Sequence, residues 1–156
     1  MKLLKDEAAV SISIGFILTF VISVVALVTV LTAFYTLMDR AEQTVMRSEF
    51  EIHGNDISMQ ISSIDTLLAF MNNSGAYIGL LEYDLNLPDQ IAGEHYSVSI
   101  VNSSHEIVLQ SRDKAETKVM VPYSAQNMRV IESTIFSEAG THYMIYDPIH
   151  RTLEIR

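Results

Sequence analysis

The feature that most constrains this chain is an apolar stretch near its N-terminus. No charged residue occurs between Glu7 and Asp39, and the stretch has the sequence AAVSISIGFILTFVISVVALVTVLTAFYTLM. As a helix it would extend about 46 Å, whereas a bilayer core needs about 20 residues. A secretory signal has a shorter apolar part, of about 7–15 residues, and a small-residue cleavage site, which does not follow here. Because lipid forces the backbone to bond internally, we predict a transmembrane helix over residues 9–38.

The charge of the chain lies almost entirely beyond this helix. Lys2 and Lys5 are balanced by Asp6 and Glu7, so the whole net charge of −9 belongs to the later residues. An acidic part repels phosphate backbones and anionic lipid headgroups, so we expect no nucleic-acid partner and contact with membrane lipid only through the apolar helix. The absence of cysteine excludes disulfides and thiolate-ligated metals.

The orientation of the helix is only weakly marked by charge. Lys2 and Lys5 precede the span and Arg40 and Arg47 follow it, so the positive charges are nearly balanced. The head at residues 1–8 is too short to be a domain. We therefore expect a single-pass protein of the cell membrane, with a cytoplasmic N-terminus and the long acidic part outside.

Small residues recur at helical spacing within the apolar stretch. Such a stripe lets membrane helices approach closely, and we consider it a candidate helix-packing surface. The alternative, which the sequence leaves equally open, is that the hydroxyls bond back to their own helix in lipid. The stripe consists of Gly15, Thr19, Ser23, Ala26, Thr29, Ala33 and Thr36.

The charged head MKLLKDE, followed by Ala8-Ala9 and VSISIGFILTFVISVVALV, resembles the N-terminus of archaeal type IV pilin-like proteins. The resemblance implies a class III signal peptide that a prepilin peptidase cuts after Glu7 and Ala8, so that Ala9 becomes the new N-terminus. A cut after Ala9, which would make Val10 the first residue, is the alternative. It also implies that the apolar helix then assembles with copies of itself or with other pilin-like subunits. Many bacterial members have a Glu five residues after the cut, where this chain has Ser13.

The segment 39–72 predicts an amphipathic continuation of the same helix. Its apolar residues recur near a period of 3.6, and Gly54 marks the place where a kink or break is expected. We expect the apolar stripe to pack against the following domain, in preference to a coiled-coil partner. The stripe consists of Met46, Phe50, Ile57, Ile61, Ile64, Leu68 and Met71.

Residues 73–156 predict an extracytoplasmic β domain. Turn residues Asn72 to Gly75 end the helix, and the pattern then changes to a period of two. Six or seven short strands at this spacing indicate a small antiparallel sandwich, and the fold class is α+β. The predicted strands are Leu81–Leu87, Tyr96–Ile100, Glu106–Ser111, Thr117–Tyr123, Val130–Ser137, Thr141–Tyr146 and Thr152–Arg156.

The sequence contains no motif that indicates catalysis. The histidines form no helical metal-binding pair, and no serine lies in a Gly-x-Ser-x-Gly motif. Asp84, Asn86 and Asp89 lie together near Pro88 but lack the glycine and the closing Glu of a calcium loop, so we interpret them as strand-edge and turn residues. We predict no enzyme activity, no catalytic, cofactor-binding or metal-binding residue, and no cofactor.

Two glycosylation sequons occur in predicted turns, at Asn72 and Asn102, and both are candidate acceptors. Together these features predict a structural protein, a pilin-like or pseudopilin subunit of an archaeal surface filament. The alternatives are a non-polymerising anchored binding module or pilus accessory protein, a sensor ectodomain, and a hydrolase.

Overall fold

The computed structural model describes the backbone from Leu3 and the side chains from Ile14 to Arg156. One helix, α1, spans Leu3–Ser74, and eight strands follow it, which confirms the predicted α+β class. The strands are β1 Leu81–Leu85, β2 Tyr96–Val101, β3 Glu106–Ser111, β4 Lys118–Pro122, β5 Arg129–Val130, β6 Ser133–Phe136, β7 His142–Asp147 and β8 Thr152–Ile155.

The chain divides into two compact units, the first ending at Glu42 and the second comprising Gln43–Arg156. The second half of α1 therefore belongs to the same unit as the strands, which we call the β domain. The first unit is helical from Leu3 onward.

The β domain consists of two four-stranded sheets. One has the order β1-β7-β8-β5 and the other β4-β3-β2-β6. All pairs are antiparallel except β5 with β8, which is parallel. Inward residues alternate with outward ones along β2 and β7, as expected for strands with one buried face.

Most strands lie where the sequence predicts them, and β3 matches at both ends. The segment predicted as one strand over Val130–Ser137 is instead two, β5 and β6, separated by Ile131 and Glu132. The two strands belong to different sheets, so the chain crosses from one sheet to the other at this point. The buried positions change parity across this crossing, since Val130 of β5 and Ile135 of β6 lie five residues apart, whereas one face of a single strand has residues an even number apart.

The apolar stripe on the second half of α1 forms part of the core, as predicted. Met46, Phe50 and Ile61 are completely buried, and the stripe as far as Leu68 joins one cluster with the inward residues of both sheets, while Met71 is half-buried. Phe50 contacts Tyr96 of β2, with ring centroids 5.3 Å apart. Burial and the nearby charge of Asp89 raise the pKa of Tyr96, so this phenol stays neutral.

Gly54 has a different role from the predicted one. The helix does not end there, and the prediction of a break is wrong. Gly54 is buried against the second sheet, where an added Cβ would lie 2.7 Å from Val121 Cγ2 and 3.0 Å from Leu109 Cδ1. The glycine lets the helix approach the sheet closely, and the tertiary contacts offset its low helix propensity.

Polar contacts hold the same helix against the loops of the domain. Asp65 accepts hydrogen bonds from the backbone N–H groups of Gln126 and Asn127, at 2.9 and 2.6 Å, and from the Asn127 amide at 3.1 Å. Nearer the start of the domain, Ser58 donates to the carbonyl of Pro122.

A left-handed glycine caps the C-terminus of α1. Gly75 has a φ of +68°, and the N–H of Ala76 bonds to the carbonyl of Met71 at 3.2 Å. This six-to-one bond after a left-handed glycine is the Schellman arrangement, which satisfies carbonyls that the last turn leaves open.

Gly54→Ala tests the close approach of helix and sheet. The alanine gains up to about 1 kcal/mol of helix propensity, but its methyl group overpacks the interface at a cost of about 1–3 kcal/mol. We expect a net loss of about 1 kcal/mol in the unfolding free energy of the full chain in detergent, measured by near-ultraviolet circular dichroism.

The matched control is Gly79→Ala, since no atom lies within 4 Å of a Cβ at that position. Adding Val121→Ala to Gly54→Ala removes the methyl group that the new Cβ would overlap. The double variant should therefore be more stable than the sum of the two single effects predicts. A Gly54→Ala variant as stable as the parent would contradict this packing.

Candidate functional site

The described apolar part of α1, from Ile14 to Met38, belongs to the first unit. Every side chain from Ile14 to Met38 is exposed, including Phe16 and Phe34. The most apolar 18-residue window of the helix has a mean hydropathy of 2.8, and none of it is buried. By length and composition this helix could span a membrane. Its side chains would then be covered by lipid or by other helices rather than by this chain's own core.

The hydroxyl groups of the small-residue stripe are satisfied within the helix. Thr19 donates to the carbonyl of Gly15, Ser23 to that of Thr19, and Thr36 to that of Thr32, at 2.9–3.0 Å. These bonds to the fourth residue back correspond to one of the two alternatives that the sequence leaves open. They leave no hydroxyl of the stripe as an unpaired donor. Close packing of the stripe against another helix stays a prediction.

Aromatic and charged residues mark the end of the apolar stretch. The rings of Phe34 and Tyr35 meet edge to face at 6.3 Å, and Asp39 and Arg40 follow within two turns. Such a change from aromatic to charged residues is typical of a membrane–water boundary.

The predicted processing residues Glu7, Ala8 and Ala9 lie in α1 by their backbone. Their side chains lie outside the residues that the structure describes, as does all of Met1 and Lys2.

The histidines are dispersed over the β domain. His53 lies 4.0 Å from Glu49 on α1, and His142 is buried on β7. His95 lies 4.0 Å from Glu138, which also pairs with Arg112. From Ile14 onward, no three His, Asp or Glu side chains come together as a metal site.

Asp84, Asn86 and Asp89 line one open depression beside Gly140 and Thr141. The topology thus brings the three predicted strand-edge residues to one place, where two carboxylates face a turn.

The two sequons have different surroundings. Asn72 is exposed in the last turn of α1, and its Oδ1 atom faces Arg151 Nη2 at 3.4 Å. Asn102 is half-buried in the β2–β3 turn, and its Oδ1 atom faces the Tyr123 hydroxyl at 3.4 Å. In both cases the amide nitrogen, which would carry a glycan, is not used in these bonds.

A cavity of about 260 Å³ opens where α1 ends, and we call it the polar cavity. Buried Leu68 and Tyr146 contribute apolar walls, and Tyr77 is exposed beside it. The polar lining consists of Asn72, Gln126, Asn127 and Arg151. Sequence reasoning selected only Asn72 among these residues, because the others come together through strand order and carry no motif.

The β7–β8 turn at the edge of this cavity is fixed by Asp147. Its carboxylate accepts the Ile149 N–H at 2.8 Å and contacts His150 Nδ1 at 2.6 Å. These two hydrogen bonds, that of His150 foremost, lower the pKa of Asp147.

The match to a known protein family extends over both units of the chain. The model described as Family of unknown function (DUF7266) matches residues 5–151. The chain belongs to this family. No curated protein and no solved structure matches it. Since the DUF7266 match includes the apolar helix as well as β1–β7, both belong to the architecture that defines the family.

Asp147→Asn tests the electrostatic part of the turn. A carboxylate whose pKa is lowered by folding stabilises the protein above its unfolded pKa of about 3.9, and this contribution is lost as the pH falls through the lower folded value. We expect the variant to be slightly less stable than the parent at pH 7, and the gap to close below about pH 3.9.

Unfolding of the full chain in detergent across this pH range measures the effect. Asp113→Asn, an exposed aspartate in another turn, serves as the control. A stability difference that does not change with pH would show that the charge has no part in it.

Proposed function

We propose that the chain is a membrane-inserted, pilin-like structural subunit whose apolar helix assembles with other helices after a prepilin peptidase removes residues 1–8. The single observation that carries this proposal is the dual character of α1. From Ile14 to Met38 it exposes only uncharged and mostly apolar side chains, and its second half forms part of the core of a β domain.

The length of the apolar half supports assembly rather than anchoring alone. A single anchor needs about 20 residues, whereas the uncharged segment runs from Ala8 to Met38. Polymerisation would bury these exposed side chains against neighbouring helices and so replace lipid contact. The small residues Gly15 and Ala26 would allow the helices to approach closely.

The orientation belongs to the same proposal. The charged head stays in the cytoplasm, where the peptidase acts, and the acidic β domain lies outside. There it decorates an archaeal surface filament. Glycans on Asn72 and Asn102 would fit this location, since both sequons leave the amide nitrogen uninvolved.

A non-polymerising anchored module is the second candidate, and one observation favours it. Thr19, Ser23 and Thr36 already bond to their own helix, so a lone helix in lipid leaves none of these hydroxyls unpaired. In this case the β domain would act as a binding module or as an accessory part of a pilus.

Mass spectrometry of the mature N-terminus tests the first proposal. In a host that contains a prepilin peptidase, we expect a species beginning at Ala9, with Val10 as the other acceptable start. In a host without the peptidase, the chain should retain its head. An intact Met1 or Lys2 terminus in both hosts would contradict processing and favour the anchored module.

Two matched variants separate assembly from processing. Ala26→Leu adds bulk to the small-residue stripe, whereas Val24→Leu adds bulk about 200° away around the helix. Electron microscopy should show about tenfold fewer filaments for Ala26→Leu, equivalent to roughly 1.4 kcal/mol, and no change for Val24→Leu. Equal yields from both variants would exclude the stripe as the packing surface.

A further inference from the structure

The polar cavity contains a hydroxyl group that makes no hydrogen bond within the fold. Tyr146 lines the cavity from β7 and is only 3% exposed. Its hydroxyl has no hydrogen-bond partner among the residues from Ile14 to Arg156. The oxygen atom is not among the buried atoms that lack a partner, so it is reachable from the cavity. This phenol is therefore available to a group that enters the cavity.

Arg151 brings a positive charge to the same place. Arg151 and Tyr146 line the same cavity. Burial raises the pKa of Tyr146, the Arg151 guanidinium opposes this shift, and the Asp147 carboxylate adds to it. The one hydrogen bond of the guanidinium, to Asn72 Oδ1, is long at 3.4 Å. Most of its five donors are therefore open to an acceptor in the cavity.

The backbone conformation of Arg151 is unusual for a residue with a side chain. Its φ of +53° lies in the left-handed region that favours glycine. The backbone of Arg151 is therefore strained. Its guanidinium offers a forked pair of donors that suits carboxylates.

The carboxylates that flank the cavity already accept hydrogen bonds from the protein. Asp65 is bonded to Gln126 and Asn127, and Asp147 is bonded within its own turn. The lining itself contains a cation, amides and phenol rings but no acidic side chain. In a chain with a net charge of −9, this composition selects for a negatively charged ligand with hydroxyl groups.

We propose that the polar cavity binds an acidic saccharide unit, with the sugar carboxylate on Arg151 and the Tyr146 hydroxyl. The side-chain amides of Asn72 and Gln126 bond the sugar hydroxyls. The Tyr77 ring, which is 83% exposed, offers an apolar face for the C–H face of the sugar. This site does not require the chain to polymerise.

The sugar has two sources, a separate surface glycan or the chain's own glycan on Asn72. Calorimetric titration of the full chain in detergent, made in a host that does not glycosylate, tests the first source. The probes are trigalacturonate and, as the neutral control, maltotriose. We expect trigalacturonate to bind at least about tenfold more tightly, since only it offers carboxylates to Arg151.

Two variants remove the proposed contacts without damaging the fold. Tyr146→Phe deletes only the unpaired hydroxyl, and Arg151→Gly places a residue that suits the positive φ. Each should weaken trigalacturonate binding at least about tenfold and leave the unfolding midpoint unchanged or raised. Tyr143→Phe, on the other face of β7, is the matched control and should change neither.

The second source is tested with protein from a glycosylating host. If the Asn72 glycan occupies the cavity, that protein should not bind trigalacturonate, and Ser74→Ala, which removes the sequon but keeps Asn72, should restore binding. The proposal is overturned if neither form binds, if maltotriose binds equally well, or if Tyr146→Phe and Arg151→Gly bind as the parent does.

Discussion

The organisation of this protein depends on one helix whose two halves have opposite burial requirements. α1 is helical from Leu3 to Ser74, and a helix pairs its interior backbone groups within itself, which is the condition for entering lipid and is equally compatible with a protein core. Only the side chains differ. Phe16 and its neighbours are exposed, whereas Met46 and Phe50 are fully buried. Since the side chains from Ile14 to Met38 are exposed, this part of the helix needs cover from lipid or from another helix.

The sequence predicted these features well where local chemistry decides them. The charge-free run, the stripe from Met46 to Leu68 and the two-residue alternation in β2 each follow from burial on one face. Tertiary contacts explain the two predictions that are wrong. Gly54 is a poor helix former held in the helix by the closeness of Val121, and the strand predicted over Val130–Ser137 divides because its halves join different sheets. Neither cause is visible in a local pattern.

Candidate sites were predictable to a smaller extent for the same reason. The small-residue stripe and the sequons are local motifs and could be named from the sequence. The polar cavity is assembled from α1, the loop at Gln126 and the β7–β8 turn, which lie far apart along the chain. Its most informative residues, Tyr146 and Arg151, have no characteristic spacing. They stand out only through an unpaired hydroxyl and a strained backbone. A structural subunit and a saccharide site are compatible in one molecule, because they use different units of the chain.

The central claim is that the apolar half of α1 must be covered by hydrocarbon or by other helices. Sedimentation of the full-length chain, first in detergent micelles and then after complete detergent removal, tests it most directly. We expect a monodisperse protein in micelles that enters lipid vesicles when they are supplied and self-associates when they are not. A full-length chain that stays a soluble monomer without lipid or detergent would contradict it.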